Sequence, residues 1–328
     1  MHTRKFILLA ILCLIAFIAD IALGSVTIAP KEIYHALFVD NQSIFYQIIL
    51  NHRLPKAITA LLIGSSLSVA GLLMQTLFRN PLAGPDVLGI NSGASLGVAL
   101  LTLGGASIPM LIGNSYAQVI AAILGAILIL ALVLLTSTKV KNTVSLLIVG
   151  VMFGYFTSSI VSILQNLSNP DTLKLFITWT FGSLSAVGWD QLQVLAPVLI
   201  LAVLLTLLIV KPLNAFLLGS QYAKGLGVSI DRTRLQIIII TSILAGTATA
   251  FTGPIGFIGI TIPHIARGLF KTSNHKIILP ASVICGATVL LICDIISQMP
   301  SFNTTLPINA VTSLFGAPII LWILLRKR

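Results

Sequence analysis

Residues 57–77 read AITALLIGSSLSVAGLLMQTL, twenty-one consecutive residues without a charge. A helix rises about 1.5 Å per residue, so this run reaches about 30 Å, the thickness of a bilayer's hydrocarbon core. Arg53-Leu54-Pro55-Lys56 closes it on one side and Arg79-Asn80-Pro81 on the other. Uncharged throughout and bounded by cations, the run predicts a membrane-spanning helix.

The same ruler applied outward finds spans near 6–24, 57–77, 88–108, 116–136, 143–165, 191–210, 235–252, 255–270, 277–297 and 306–325, ten in all. Composition agrees. Hydrophobic residues make up 57% of the 328 residues and charged ones 8%, against about 25% charged in soluble domains. So few charges could not keep a chain of this size dissolved, and the expected fold class is an all-α polytopic membrane protein forming a single transmembrane domain, 1–328. The third span is rich in glycine, and the eighth is short and carries Pro254 and Pro263. Broken spans must be shielded by protein, because lipid satisfies no backbone polar group. The N-terminus could pass for a signal peptide, but Asp20 and the later spans favour an uncleaved first helix.

Ten spans put both termini on one side. With that side as cytoplasm, the inner segments hold fifteen basic residues, including Arg4, Lys5, Arg79, Arg234, Arg267 and the tail Arg326-Lys327-Arg328. The outer segments hold four: Lys31, Arg53, Lys56 and Lys174. This bias fixes the orientation and accounts for the net charge of +11 without nucleic acid. Residues 25–55 read as an outer loop with Glu32, His35 and Asp40. Residues 171–189 read as an amphipathic outer helix with Trp179 and Trp189 at headgroup level. Residues 211–234 form the largest cytoplasmic feature. Gly84-Pro85 after the second span is echoed by Gly253-Pro254 after the seventh, the first inside and the second outside. That is the pattern of an inverted five-plus-five repeat.

The chain has no G-x-x-x-x-G-K-[ST] loop, no H-E-x-x-H and no paired intramembrane carboxylates, so neither phosphate cradling nor a membrane-embedded enzyme is indicated. Cys13, Cys285 and Cys293 lie singly in apolar runs, which supports no metal site. His264 reads as a histidine near an inner helix end rather than a ligand or relay. Asp294, near an outer end, reads as a capping or interfacial carboxylate. Ionisable residues at the midplane are nearly absent, which counts against the alternative of an ion-coupled secondary transporter of a small solute. Small residues at Gly64-Ser65-Ser66, Gly71, Gly93-Ala94-Ser95, Gly97 and 246–250 serve either close helix packing or a pathway; sequence does not separate the two.

The series Arg53-Leu54-Pro55-Lys56, Gly71, Gln75, Arg79 through Pro85, and Leu88-Gly89-Ile90 resembles the FecCD-type permeases of ATP-binding-cassette importers for iron–siderophore complexes, haem and cobalamin. Trp179 with Phe181-Gly182-Ser183, Gly253-Pro254 through Pro263-His264 and Arg267, Asp294, and Gly316-Ala317-Pro318 follow in order. The last third is most similar to the family's cobalamin permeases. The resemblance implies ten helices working with a second copy or a sister permease, in the bacterial inner membrane with both termini cytoplasmic. It implies two separate ATPase subunits that bind ATP and Mg, an extracytoplasmic binding protein, and no cofactor or metal on this chain. It assigns ATPase coupling to Leu218, Gly219, Ala223, Leu226 and Gly227, and binding-protein docking to Arg53, Lys56 and the position of Gln298. Asn80, Pro81, Gly84, Pro85, Gly253, Pro254, Pro263, His264, Arg267 and Asp294 are structural positions of the family pattern. Three departures stand out: Gln298 in place of Arg, Thr305-Leu306-Pro307-Ile308-Asn309 in place of a run with an acid and a glycine, and Gln221-Tyr222 where an acid is usual.

Overall fold

The computed structural model describes residues 2–24, 28–38, 43–104, 114–140, 142–298 and 305–326. Among them there is no strand. Ten helices carry the membrane-crossing segments: α1 (His2–Ala22), α4 (Leu54–Phe78), α5 (Ile90–Thr102), α6 (Ser115–Lys139), α7 (Thr143–Leu167), α9 (Trp189–Leu208), α12 (Ile230–Thr252), α13 (Ile258–Phe270), α14 (His275–Ser297) and α15 (Ile308–Arg326). Five shorter helices connect them: α2 (Pro30–Phe38), α3 (Ile44–Ile48), α8 (Pro170–Thr180), α10 (Val210–Leu218) and α11 (Ser220–Gly225).

Seven of the ten are long and apolar enough to span a bilayer, and α5, α13 and α15 are shorter apolar helices. Within the expected loop at 25–55 the structure forms α2 and α3. A π-turn at Ile49–Arg53 runs on without a break into α4, giving one helical stretch over Ile44–Phe78. The described residues of the expected outer loop are thus largely helical. Polar Asn51, His52 and Arg53 hid the continuation, since a hydropathy ruler starts only where charge stops. The third span ends at Thr102, and the rest of 88–108 lies partly outside the described residues.

The halves match in element order and size. In each, a long second helix (α4, α12) is followed by a Gly-Pro segment and then a thirteen-residue third helix (α5, α13). Thirteen residues cover about 20 Å, too little to cross alone. The non-helical backbone before each is therefore sheltered: Pro85, Leu88, Gly253 and Ile255 are buried. Packing repeats as well, α4 lying against α13 and α14 as α12 lies against α5 and α6. An odd number of helices per half makes the second half enter from the opposite side.

α4 is the central post. Of its most apolar stretch 78% is buried inside the chain, against 22% for α7, whose outer face is open. Small residues permit the crowding. A Cβ on Gly71 would lie 1.7 Å from the Gly259 carbonyl oxygen, and one on Gly64 would lie 2.3 Å from that of Gly286. Ser68 Oγ donates to the Ser282 carbonyl at 2.8 Å. Along α4 the small-residue stripe is therefore packing, not pathway.

Candidate functional site

α10 and α11 meet at Gly219. Its φ of +117° is a conformation open to glycine, and a Cβ there would stand 2.9 Å from Arg79 Nη2. α11 closes with Val228 N donating to Ala223 O and Gly227 N to Lys224 O, both at 3.0 Å, around Gly227 at φ +79°. This is a Schellman cap, the physical content of the Leu226-Gly227 pair. The structure thus brings the five predicted coupling residues into one helix–turn–helix. Ala223 is fully buried, whereas Leu218 and Leu226 are 63% and 64% exposed. Two bulky apolar side chains held in water beside exposed Tyr222 form a surface that favours covering.

The unit is seated on α4, α13 and α14. Val210 packs with Leu72, Ala266, Phe270 and Ile278. Polar ties surround that bed. Arg79 Nη2 donates to Phe216 O at 3.0 Å, Arg267 Nη1 to Gln75 Oε1 at 2.6 Å, and Gln75 Nε2 to Ile260 O at 2.9 Å. His264 Nε2 donates to Pro81 O at 2.7 Å, a structural role; among the described residues no group of three or more metal-ligating side chains converges. Asn80 Oδ1 accepts from Leu82 N at 2.9 Å, which shapes the turn after α4. Pro263 lies inside α13, buried.

The residues expected to dock a binding protein lie together where α1, α4 and α14 meet. Lys56 is 4% exposed and its Nζ lies 2.6 Å from Asp294 Oδ2 and 3.3 Å from Asp20 Oδ1. Arg53 is buried too, and its Nη1 donates to Ile21 O at 2.6 Å and Ala22 O at 2.9 Å, the C-terminal carbonyls of α1. Gln298 Nε2 donates to both Asp294 carboxylate oxygens at 3.2 Å. All three make bonds within the chain that join α1, α4 and α14, and all three also line a cavity of about 580 Å³. Asp294 is accordingly an ion-pair partner rather than an interfacial cap. Lys56 is held between Asp294 on α14 and Asp20 on α1, both distant from it in sequence, so nothing in the local sequence announces the pairing.

A third feature is a cavity of about 470 Å³ on the open side of α5 and α7. Its wall is polar: Asp86, Asn91, Ser92, Ser158, Ser162 and Gln165 among others, with Pro254 and Asn309 at one rim. Asn91 Nδ2 donates to Asp86, and Thr249 Oγ1 donates to Asn91 Oδ1 at 2.8 Å, which holds both side chains in place. Asn309 Oδ1 accepts from Gly256 N at 3.0 Å, so this departure from the family pattern is an intrachain tie. Sequence reading passed over Ser162 and the short run Thr157-Ser158-Ser159 because a few hydroxyls in an apolar helix look like packing.

Comparison with known proteins agrees with this architecture. The chain is 36% identical over 324 residues to the vitamin B12 import system permease protein BtuC of Klebsiella pneumoniae, covering 98% of this chain and 93% of that one. It is 32% identical over 321 residues to the hemin transport system permease protein HmuU of Yersinia pestis, covering 98% and 95%. A solved inward-facing structure described as a metal-chelate type ABC transporter superposes with a TM-score of 0.88 at 29% identity, over 99% of this chain and 100% of that one. The profile of the FecCD transport family matches residues 12–326. The chain belongs to the FecCD transport family.

Proposed function

We propose that this chain is the membrane-spanning subunit of an ATP-driven importer that moves an iron chelate, haem or a cobalamin-like cargo into the cytoplasm. The observation that carries the reading is the glycine-jointed pair α10–α11, which presents Leu218, Tyr222 and Leu226 to water beyond the membrane segments. With no phosphate-binding loop in the sequence, the energy source is a separate ATPase. Two copies of it bind ATP and Mg and dock on this surface. A second copy of the chain, or a sister permease, closes the open side of α5 and α7. The fifteen-to-four split of basic residues supports cytoplasmic termini in a bacterial inner membrane, with an extracytoplasmic binding protein on the other face.

The reading is tested by co-expressing the chain with its cognate ATPase and binding protein. The complex is purified in nanodiscs, reconstituted, and assayed for ATP-driven uptake of cyanocobalamin, haemin and a ferric hydroxamate. Co-purification with uptake of one of these is expected. Uptake driven by a proton or sodium gradient without ATPase would establish a secondary transporter instead. Orientation is read separately in a cysteine-free background. Cysteines at Asn142 and Gln221 are expected to resist an impermeant thiol reagent applied from outside, and one at Asp171 to react.

A further inference from the structure

The short helix α10 is bound to the core by more than apolar contact. Asn214, in its middle, accepts at Oδ1 from the backbone N–H of His275 at 2.8 Å and lies 2.9 Å from His275 Nδ1. Its Nδ2 donates to Asn274 Oδ1 at 3.0 Å, and Asn274 itself caps α14 by accepting from Lys276 N. On the other edge of the imidazole, Nε2 lies 2.9 Å from Thr76 Oγ1, in the last turns of α4. The backbone donor fixes Asn214 Oδ1 as an acceptor, so Nδ1 carries the ring proton. In a neutral ring Nε2 is then an acceptor, and the single Thr76 hydroxyl proton has two acceptors in reach, Nε2 at 2.9 Å and the Leu72 carbonyl of its own helix at 2.8 Å. His275 is 1% exposed and Thr76 3%. A second tie runs beside the first, from Arg79 at the end of α4 to the Phe216 carbonyl in the last turn of α10.

Resting on the coupling role proposed for α10–α11, we propose that Asn214, His275, Thr76 and Arg79 are positioning residues. They make the ATPase-facing segment, α4 and the start of α14 one mechanical body. Three features support transmission over mere anchorage. The links are directional hydrogen bonds sheltered from water, where an unmade partner is costly, so the joint resists slippage. α10 is separated from α9 by Ile209 alone and from α11 by Gly219, so its ends are joints while its middle is fixed to α4 and α14. Finally, α4 and α14 are clamped again at their outer ends by Lys56 and Asp294. Displacement applied at the inner surface therefore reaches the outer face through two helices tied at both ends.

The test places spin labels at Asn51, just before α4 on the outer side, and at Asp171, at the start of α8, both exposed. The permease–ATPase complex in nanodiscs is measured without nucleotide and after trapping with ATP and vanadate. The unmodified complex is expected to show a change in label separation. Thr76→Val, which keeps shape and removes the hydroxyl, is expected to reduce that change to about half, because the Arg79 tie remains. Thr76→Ser restores it. Adding Asn214→Leu to Thr76→Val lowers the response further, because Asn214 ties α10 to α14 independently of Thr76, and adding Arg79→Met to both abolishes it. The unmodified response in Thr76→Val with ATPase still bound overturns the proposal, as does a complex without any response. Loss of the ATPase from Thr76→Val alone also overturns it, since the relay would then serve docking. Failure of the unmodified chain to hold an ATPase would instead sink the coupling reading on which the proposal rests.

Discussion

Basic residues in this chain do two things at once. Collectively they gather in a few connecting segments, and individually several of them close the ends of neighbouring helices. Arg53 donates to the last carbonyls of α1, Arg234 Nη2 to Ser137 O and Val140 O at the end of α6, and Lys5 Nζ to Leu269 O near the end of α13. A helix C-terminus carries unpaired carbonyls and partial negative charge, so a cation there serves hydrogen bonding and the dipole together. Lys56 serves differently, between two buried carboxylates. Its removal leaves Asp20 and Asp294 uncompensated, so Lys56→Met is expected to cost about 3–5 kcal/mol, read as a lower thermal midpoint in detergent. The variant Asp20→Asn, Lys56→Met, Asp294→Asn removes all three charges and is expected to recover most of that loss. A triple variant no more stable than Lys56→Met would show that packing, not charge, sets the cost.

The helices themselves were legible where sequence carries a sustained signal. All ten spans are found, and the Gly-Pro echo marks the two short third helices. The resemblance singled out Gly219 and Gly227, and the turn conformations they take are local ones that glycine favours. What was not legible depends on contacts between distant elements. The run of small residues in α4 could not be divided between packing and pathway, since only tertiary structure puts Gly71 against Gly259 and Gly64 against Gly286. That closeness predicts that Gly71→Val prevents accumulation of folded protein, read as yield of monodisperse protein from membranes, because backbone rather than a movable side chain stands in the way. Gly227→Val acts in another manner. It forces a β-branched residue into the left-handed region that the cap of α11 requires, at about 1–3 kcal/mol of local strain. The fold is expected to survive, and ATPase co-purification to fall severalfold. Full ATPase retention by Gly227→Val would mean that α11 is not part of the docking surface.

At the scale of the whole molecule the chain is incomplete on one side. α4, α12 and α14 are enclosed, while α7 turns Tyr155 and Phe156 outward next to the polar-walled cavity that Ser158 and Ser162 line. Exposed rings beside exposed hydroxyls do not suit lipid alone; they fit a surface that meets another subunit around an aqueous space. The wall has one carboxylate, Asp86, and no lysine or arginine among its lining residues. Its local potential is therefore negative, and reagents entering it are sorted by charge. In a background lacking Cys13, the most accessible of the native thiols, with Cys285 and Cys293 buried, a Ser158→Cys permease separates the contributions. Across about 8–10 Å of hydrated space, opposite unit charges on two probes differ by roughly 1 kcal/mol in their interaction with one carboxylate, about fivefold in rate. A cationic methanethiosulfonate is accordingly expected to modify Ser158→Cys about five times faster than an anionic one of similar size, and Asp86→Asn to bring the two rates together. High salt should narrow the gap in the same direction, as screening requires. Equal rates for the two reagents with Asp86 intact would mean that this carboxylate does not govern the cavity, and that the wall discriminates by shape and hydrogen bonding alone.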